Sequence, residues 1–486
     1  MKFKRFLVLF ILLFSLILFG CQKNNVPNEE NVEYNKLTVM SVNDTHGAIE
    51  ENEKNLGMAG MSWVINKERK DKQNAVLVLS AGDMFQGSAI SNYNHGLNMI
   101  NIMNYMKFDA MTIGNHEFDW GLDEVLKYVD GNKNNGEANF PFLGCNIMEK
   151  ATNKIPDLVK EFEIVDFNQF KVGIIGYMGV GLEVDIAKSK VEDYEFVDPV
   201  PLVANISSKL RNEYACDLII AMGHDASTST NNELTSLSGD SAVDMIINGH
   251  THTTYTRYVN NGNGNKISIS QAGTAANAIT KTVFDFDTKL SFVSCNTINL
   301  QSYDIEIDQE VQKMVKEMQK EIEPIMGRVI GTAGNNVNRT SVSYFTANVV
   351  KEASNADIGA VNSGGIRASA FPISNGSDIT IKKMYEIMPF DNCIITCELT
   401  GQQLLNVLII TDVVFSTNLT KVGNKYYIND NELDLTKVYI FACADYLFER
   451  EDDISKVGQN IDKTGILVRD AMIQGVENTD GKWLNY

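Results

Sequence analysis

Histidine is scarce in this chain, with six in 486 residues, yet five of the six fall just beyond short aliphatic runs. Leu37 to Val42 leads into Asn43-Asp44-Thr45-His46, and Ala75 to Ser80 leads into Ala81-Gly82-Asp83. Met111 to Ile113 precedes Gly114-Asn115-His116-Glu117-Phe118-Asp119, Leu218 to Met222 precedes Gly223-His224, and Val243 to Ile247 precedes Asn248-Gly249-His250-Thr251-His252. These donors are oxygen and nitrogen without a cysteine, a set suited to borderline-hard divalent cations such as Mn, Zn or Fe rather than to a structural zinc. A shared carboxylate can bridge two ions about 3.5–4 Å apart, and Asp83, with Gly82 beside it leaving room, is the natural bridge. One ion would take Asp44, His46, Asp83 and His252; the other would take Asp83, Asn115, His224 and His250. A water shared by two such cations loses a proton near neutral pH and attacks phosphorus in line. His116 stays off the metals. Oriented by Asp119, it can donate a hydrogen bond or a proton to the transition-state oxygens or the leaving group. His95, in the polar stretch Ser91 to Gly96, is within conceivable reach of the site but reads as a solvated loop residue.

The elements that must position these side chains follow from the runs before them. Continuous Val/Ile/Leu stretches mark buried parallel strands, and ligands of open α/β sheets collect beyond the carboxyl ends of such strands. Gly57 to Arg69, Gly96 to Lys107 and Gly121 to Tyr128 carry helical spacing between them. Lys171 to Tyr177 is a further strand with no ligand at its end. From Ile267 onward the pattern turns to alternating strands, as in Lys281 to Asp287, so the α/β core continues into antiparallel strands and fits a layered sandwich.

A chain of this length exceeds one ordinary core, and two domains with connectors are expected. The 44% hydrophobic and 9% aromatic content supports globular folding. The formal charge of −20 argues against nucleic acid as the main partner. It also means that an anionic substrate has to be drawn in by metal ions and a few local Arg. Lys2, Lys4 and Arg5 precede the apolar run Phe6 to Phe19, short for a membrane span and right for a signal core. The run ends at Gly20-Cys21, as in a bacterial lipoprotein signal whose Cys21 becomes the lipidated N-terminus; an ordinary secretory signal or an uncleaved anchor is the alternative. Residues 1–21 are thus expected to be a leader and 22–35 a flexible tether, with the globular part outside the cytoplasm. The later cysteines show no CxxC spacing. An exported location permits disulfides, but most of these cysteines read as small buried hydrophobes.

Asp308 to Met326 has helical period, with Val311, Met314, Val315, Met318, Ile322 and Ile325 on one stripe, and its position suggests an interdomain connector. Beyond it, Phe345 to Ala353 reads as a helix and Asp357 to Val361 as a strand opening onto Asn362-Ser363-Gly364-Gly365-Ile366-Arg367. There the glycines allow close backbone approach, and the Arg offers a fork for a carboxylate or phosphate. Met388-Pro389-Phe390-Asp391-Asn392 comes next, then the strand Cys393 to Leu399.

In order and spacing the N-terminal motifs resemble the calcineurin-like metallophosphoesterase signature. With Asn362 to Arg367 and Met388-Pro389-Phe390, the chain resembles the bacterial 5′-nucleotidase family, which includes UDP-sugar hydrolases and 2′,3′-cyclic nucleotide phosphodiesterases. The resemblance implies a four-layer αββα catalytic sandwich over 36–303, a linker helix at 304–326 and a smaller mixed α/β substrate-binding domain over 327–486 that rotates to bring nucleotide to the metals. It places Asn362, Gly364 and Arg367 on the substrate, Phe390 and Tyr446 as two rings stacking on the base, and Asp452 at the end of a segment where the family often has Gly-Gly-Asp. Here that segment is Arg450-Glu451-Asp452. A further substrate arginine of the family has no clear match, Arg339 being near but offset, and His252 stands where some members carry Gln. The expected activity is release of phosphate from nucleoside 5′-monophosphates by a lipid-anchored two-metal hydrolase. Hydrolysis of UDP-sugars or 2′,3′-cyclic nucleotides at the same metals is the second expectation, and a surface binding protein on this scaffold the third.

Overall fold

The computed structural model describes residues 32–52, 55–301, 304–479 and 481–484. The expected leader, Cys21 and most of the tether lie outside these residues. Tyr34 to Tyr486 is one compact unit.

Two six-stranded sheets form its first half. In one, Leu290–Asn299, Ala278–Phe286, Lys36–Val42, Asn74–Ser80, Ala110–Thr112 and Phe142–Leu143 lie side by side in that order. In the other the order is Thr254–Asn260, Lys266–Ala272, Met245–Asn248, Leu218–His224, Lys171–Met178 and Phe162–Asp166. The central strands of each are parallel, while Ala278–Phe286, Thr254–Asn260 and Phe162–Asp166 run antiparallel to their neighbours.

Side-chain alternation sorts the layers. Leu37, Val39, Leu77 and Leu79 join Val172, Ile174, Ile220, Met222 and Ile247 in the core between the sheets. Met40, Val42 and Val78, on the other face, pack with Met58, Met61 and Ile65 of helix Gly57–Arg69 and with Met99, Ile102 and Met103 of helix Leu97–Met106. Across the second sheet, Ile175, Ile219 and Ile246 pack with Val203, Ile206 and Leu210 of helix Pro199–Tyr214. The layering is helix, sheet, sheet, helix. Each fully buried aliphatic side chain contributes about 1.5–3 kcal/mol, so the strand ends project from a rigid base.

Helix Gln309–Met326 begins at Asp308, whose carboxylate accepts from Glu310 N and Val311 N. The same carboxylate accepts from Ser62 and Asn66 of helix Gly57–Arg69, at 2.7 and 2.9 Å. The cap therefore also docks the helix on the first half of the chain. Its buried face is Val311, Val315, Met318, Ile322 and Met326, with Met314 partly buried against it. Ile325, expected on that stripe, is 51% exposed; the 3.6-residue period turns Met326 inward instead.

In the second half a five-stranded sheet runs Val413–Phe415, Ile358–Asn362, Val438–Ala444, Cys393–Thr400 and Gln459–Leu467. Helices Arg339–Ala353 and Val468–Glu477 pack beside it. The first of these starts six residues before the expected Phe345. Asn338 caps it, accepting from Ser341 N at 3.0 Å, and an N-cap of this kind stabilises by about 1 kcal/mol. Cys145, Cys216, Cys295, Cys397 and Cys443 are buried and Cys393 partly so, all unbonded.

Candidate active site

Three of the five site-bearing runs end in turns that force the backbone out of the sheet. Asp44, His46, Asp83, His250 and His252 all adopt left-handed conformations, with φ between 49° and 77°. Such residues are uncommon outside glycine, Asn, Asp and His, and their clustering at one edge marks strain held in place by the two sheets. The glycines serve the same packing. A Cβ on Gly114 would lie 2.2 Å from Asp83 Oδ1, and one on Gly82 would lie 2.9 Å from His224 Nδ1. Gly82 thus allows close approach of chain and ligand rather than making room for metals as the sequence suggested.

The donors converge. His46 Nε2 and His252 Nε2 face each other at 2.9 Å, and His252 Nε2 lies 3.5 Å from Asp44 Oδ1. Asp83 Oδ2 is 3.3 Å from His224 Nε2 and 4.0 Å from His46 Nε2. Asn115 Oδ1 sits 3.0 Å from His224 Nε2 and 3.1 Å from His250 Nδ1. Asp44, His46 and His252 bring ligand atoms within 4.8 Å of one another, as do Asp44, Asp83 and His224, and His46, Asp83 and His116.

The backs of the rings are fixed. His224 Nδ1 faces Ala81 O at 2.8 Å and His46 Nδ1 faces Gln86 O at 3.2 Å, which leaves each Nε2 directed at the cluster, the arrangement of metal-ligating imidazoles. Burial pushes His46 well below its ordinary value and His252 down to about 4, and it lowers His250 as well. These three rings are held neutral, the state that binds cations. Burial likewise pushes Asp44 up to about 7, with His224 and Asn43 drawing it back. Bringing a cation beside this carboxylate would relieve that burial cost. The residues present therefore fit divalent metal.

His116 Nδ1 meets Asp119 Oδ2 at 2.8 Å, and His116 N donates to Asp83 Oδ1 at 2.9 Å. Burial opposes charge on this ring, but Asp119 and Asp83 outweigh it, and its pKa is raised. Two supports went unread in the sequence. Glu117, fully buried, accepts from Gly114 N, Asp83 N and Met84 N at 2.7, 2.8 and 2.9 Å, so it staples two strand ends together. Asn43 donates to Asp44 Oδ2 at 2.5 Å and accepts from Ala272 N.

Over this cluster lies a cavity of about 330 Å³ between the two halves of the chain. Its floor includes Asp83, Asn115, His116, Asp119, His250 and His252; its far wall includes Asn362, Gly364, Arg367, Phe390 and Tyr446. Phe390 stacks on His116 with centroids 5.9 Å apart, and the Arg367 guanidinium sits 4.7 Å over the Phe390 ring. Asn362 is 5% exposed and its Oδ1 has no hydrogen-bond partner. Asp452 is not brought to this wall. It is exposed and bridged to Lys456 at 2.7 Å, because helix Asp445–Arg450 and helix Asp452–Ser455 carry it past the cavity. Asp445, unnoticed in the sequence, lines the cavity. His95 pairs with Glu124 at 2.6 Å and stacks on Trp120, away from the cavity lining.

Two arginines hold the loops of the far wall. Arg469, 2% exposed, donates to Met388 O and Phe390 O at 3.2 and 3.1 Å and pairs with Asp391. Arg339 donates to Ile366 O at 2.7 Å and to Ser363 O, so it braces the Asn362 to Arg367 loop from outside.

Residues 37–254 match the calcineurin-like phosphoesterase family and residues 321–459 match the 5′-nucleotidase C-terminal domain. The chain is 26% identical over 420 residues to the snake venom 5′-nucleotidase of Crotalus adamanteus, covering 76% of this chain and 69% of that one. It is 28% identical over 449 residues to the 5′-nucleotidase of Vibrio cholerae, covering 80% and 78%. Against two other curated relatives it spans only 34% and 27% of their length. The 5′-nucleotidase precursor of Thermus thermophilus superposes with a TM-score of 0.73 at 20% identity, over 91% of this chain and 96% of that one.

An αββα sandwich with oxygen and nitrogen donors at its strand ends, matched by the phosphoesterase family, makes this a metal-dependent phosphoester hydrolase. After it comes a 5′-nucleotidase C-terminal domain, and the chain is similar to proteins named 5′-nucleotidase.

Proposed function

We propose that the protein releases phosphate from nucleoside 5′-monophosphates outside the cytoplasm, tethered through a lipidated Cys21. The observation that carries this reading is the shared cavity, whose floor is the donor cluster and whose far wall offers Arg367, Asn362 and two aromatic rings. In this reading 36–303 is the catalytic domain, 304–326 the linker and 327–486 the substrate domain.

Asp44, His46, Asp83 and His252 would hold one divalent cation, and Asp83, Asn115, His224 and His250 a second; Asp83, which approaches ligands of both sets, is the shared one. Bound there, the cations supply Lewis-acid polarisation of the phosphoryl group and a nucleophile at neutral pH. The protein's own residues do the rest. Arg367 forks onto phosphoryl oxygens. His116, whose pKa Asp119 and Asp83 raise against burial, hydrogen-bonds the leaving 5′ oxygen and gives up its proton as the ester bond breaks. Phe390 and Tyr446 clasp the base, and the unpartnered Asn362 Oδ1 accepts from the sugar.

The test is phosphate release from a nucleotide panel by the full chain with Mn, Zn or Mg. Turnover of nucleoside 5′-monophosphates is expected. If only 2′,3′-cyclic nucleotides or UDP-sugars are cleaved, the substrate assignment fails while the metal assignment stands.

A further inference from the structure

The strand Lys171–Met178 ends without a metal donor, and the segment after it builds the cavity rim instead. Residues 181–191 fold into the short turns Leu182–Asp185 and Lys188–Val191 and form the outer rim of the cavity, with Asp185, Ser189 and Lys190 in its lining. The rim is tied to the opposite wall. Ser189 N donates to Glu449 Oε2 at 3.0 Å, and Tyr446 Oη donates to Val184 O at 3.4 Å.

Arg367 and Lys190 line the cavity, and neither has an ion pair among the described residues. Arg367 lies over Phe390, close to the floor. Lys190 sits at the mouth, exposed, whereas Asp83 and Asn115 at the floor are 1% and 2% exposed. Among the described residues the ammonium makes one hydrogen bond, a long one of 3.5 Å to Trp120 O, so it is free to turn inward. It lies near the segment that carries Tyr446. The Asp445 carboxyl is raised by burial and drawn back by the amides of Cys393 and Tyr446 and by the Lys190 charge.

We propose that Lys190 reads the outer edge of the nucleobase and favours bases that present a carbonyl there over bases that present an amino group. The inference rests on the nucleotide reading above. With the phosphate at the floor and the base between Phe390 and Tyr446, the edge farthest from the sugar meets the mouth. An ammonium has three donors and no acceptor. It hydrogen-bonds O6 of guanine or hypoxanthine or O4 of uracil, and opposes the N6 amino group of adenine or the N4 amino group of cytosine. Rim and wall are joined through Glu449 and Tyr446, so both halves of the chain set where the ammonium sits.

The experiment compares kcat/KM for GMP, IMP and UMP with that for AMP and CMP in wild type, Lys190→Met and Lys190→Arg, using the metal-loaded full chain. Ribose 5-phosphate serves as the base-free substrate, and calorimetric binding of guanosine and adenosine gives a readout independent of turnover. In the wild type the carbonyl bases are preferred. Lys190→Met lowers the GMP-to-AMP ratio about 10-fold, the scale of a hydrogen bond to a charged donor, and weakens guanosine more than adenosine; Lys190→Arg restores the preference. An unchanged ratio in Lys190→Met, or an equal fall with ribose 5-phosphate, overturns the proposal. A wild type that hydrolyses no nucleotide overturns the nucleotide reading and this one together; nucleotide hydrolysis with an unaltered ratio overturns this one alone.

Discussion

The floor and the far wall of the cavity are built on opposite plans. The floor stands on strand ends from two sheets packed face to face; Asp44, Asp83, Asn115 and His224 are buried, His252 is exposed, and the set is braced from behind by Ala81 O, Gln86 O, Asn43 and Glu117. The wall stands on helix Asp445–Arg450, which carries Tyr446, and on two loops, 362–367 and 388–392, whose shape is imposed by Arg339 and Arg469 from elsewhere in the sequence. Chemistry that must hold cations is placed where the backbone cannot give. The loops of the wall tolerate change without disturbing the core.

The sharpest way to break this contrast is Asp83→Asn. It removes the carboxylate that approaches both ligand sets, and hydrolysis should fall by about 10⁴-fold, the several kcal/mol a metal contributes to transition-state charge. Next is His116→Gln, which keeps the floor intact and should cost about 10²–10⁴-fold in kcat, with divalent-ion binding unchanged by isothermal titration. Glu117→Ala leaves three backbone amides of the floor without their acceptor; metal affinity should drop about 10–100-fold, as for other supports behind ligands. On the wall the effects shift to binding. Phe390→Ala should raise KM for a nucleotide about 10-fold, the low end of base stacking, while KM for ribose 5-phosphate stays within a factor of about two. The smallest effect belongs to Asp452→Asn, which should alter kcat/KM by less than about twofold, because a surface pair with Lys456 is worth little. A large loss there would put the segment back on the wall.

The same contrast explains how much was legible beforehand. Asp44, His46, Asp83, Asn115, His116, His224, His250 and His252 each come after an aliphatic run, and a parallel strand leaves few places for the next residues to go; type and position in sequence were enough to bring them to one edge. The sandwich followed from the same runs. The wall gave weaker signals. Phe390 and Tyr446 reached the cavity as the family resemblance implied, but Asp452 did not, because two short helices after Ala444 move it outward. Local periodicity does not carry that information. Nothing local marked Arg339 or Arg469 as braces; only tertiary contact shows one supporting a loop and the other buried beneath the next. Lys190 lay in a charged stretch after a strand that ended in no ligand, and nothing in its neighbourhood distinguished it. Ile325 and Met326 exchanged places because one residue of helical rotation decides which side chain turns inward.

The central claim is that neighbouring strand ends hold a pair of divalent cations sharing Asp83. The most direct test is the number of Mn ions bound per chain by the reconstituted full-length protein at equilibrium, in wild type and in Asp83→Asn. The account predicts two in the wild type and fewer than two in the variant. A wild type that binds none, or a variant that binds as many as the wild type, would contradict it.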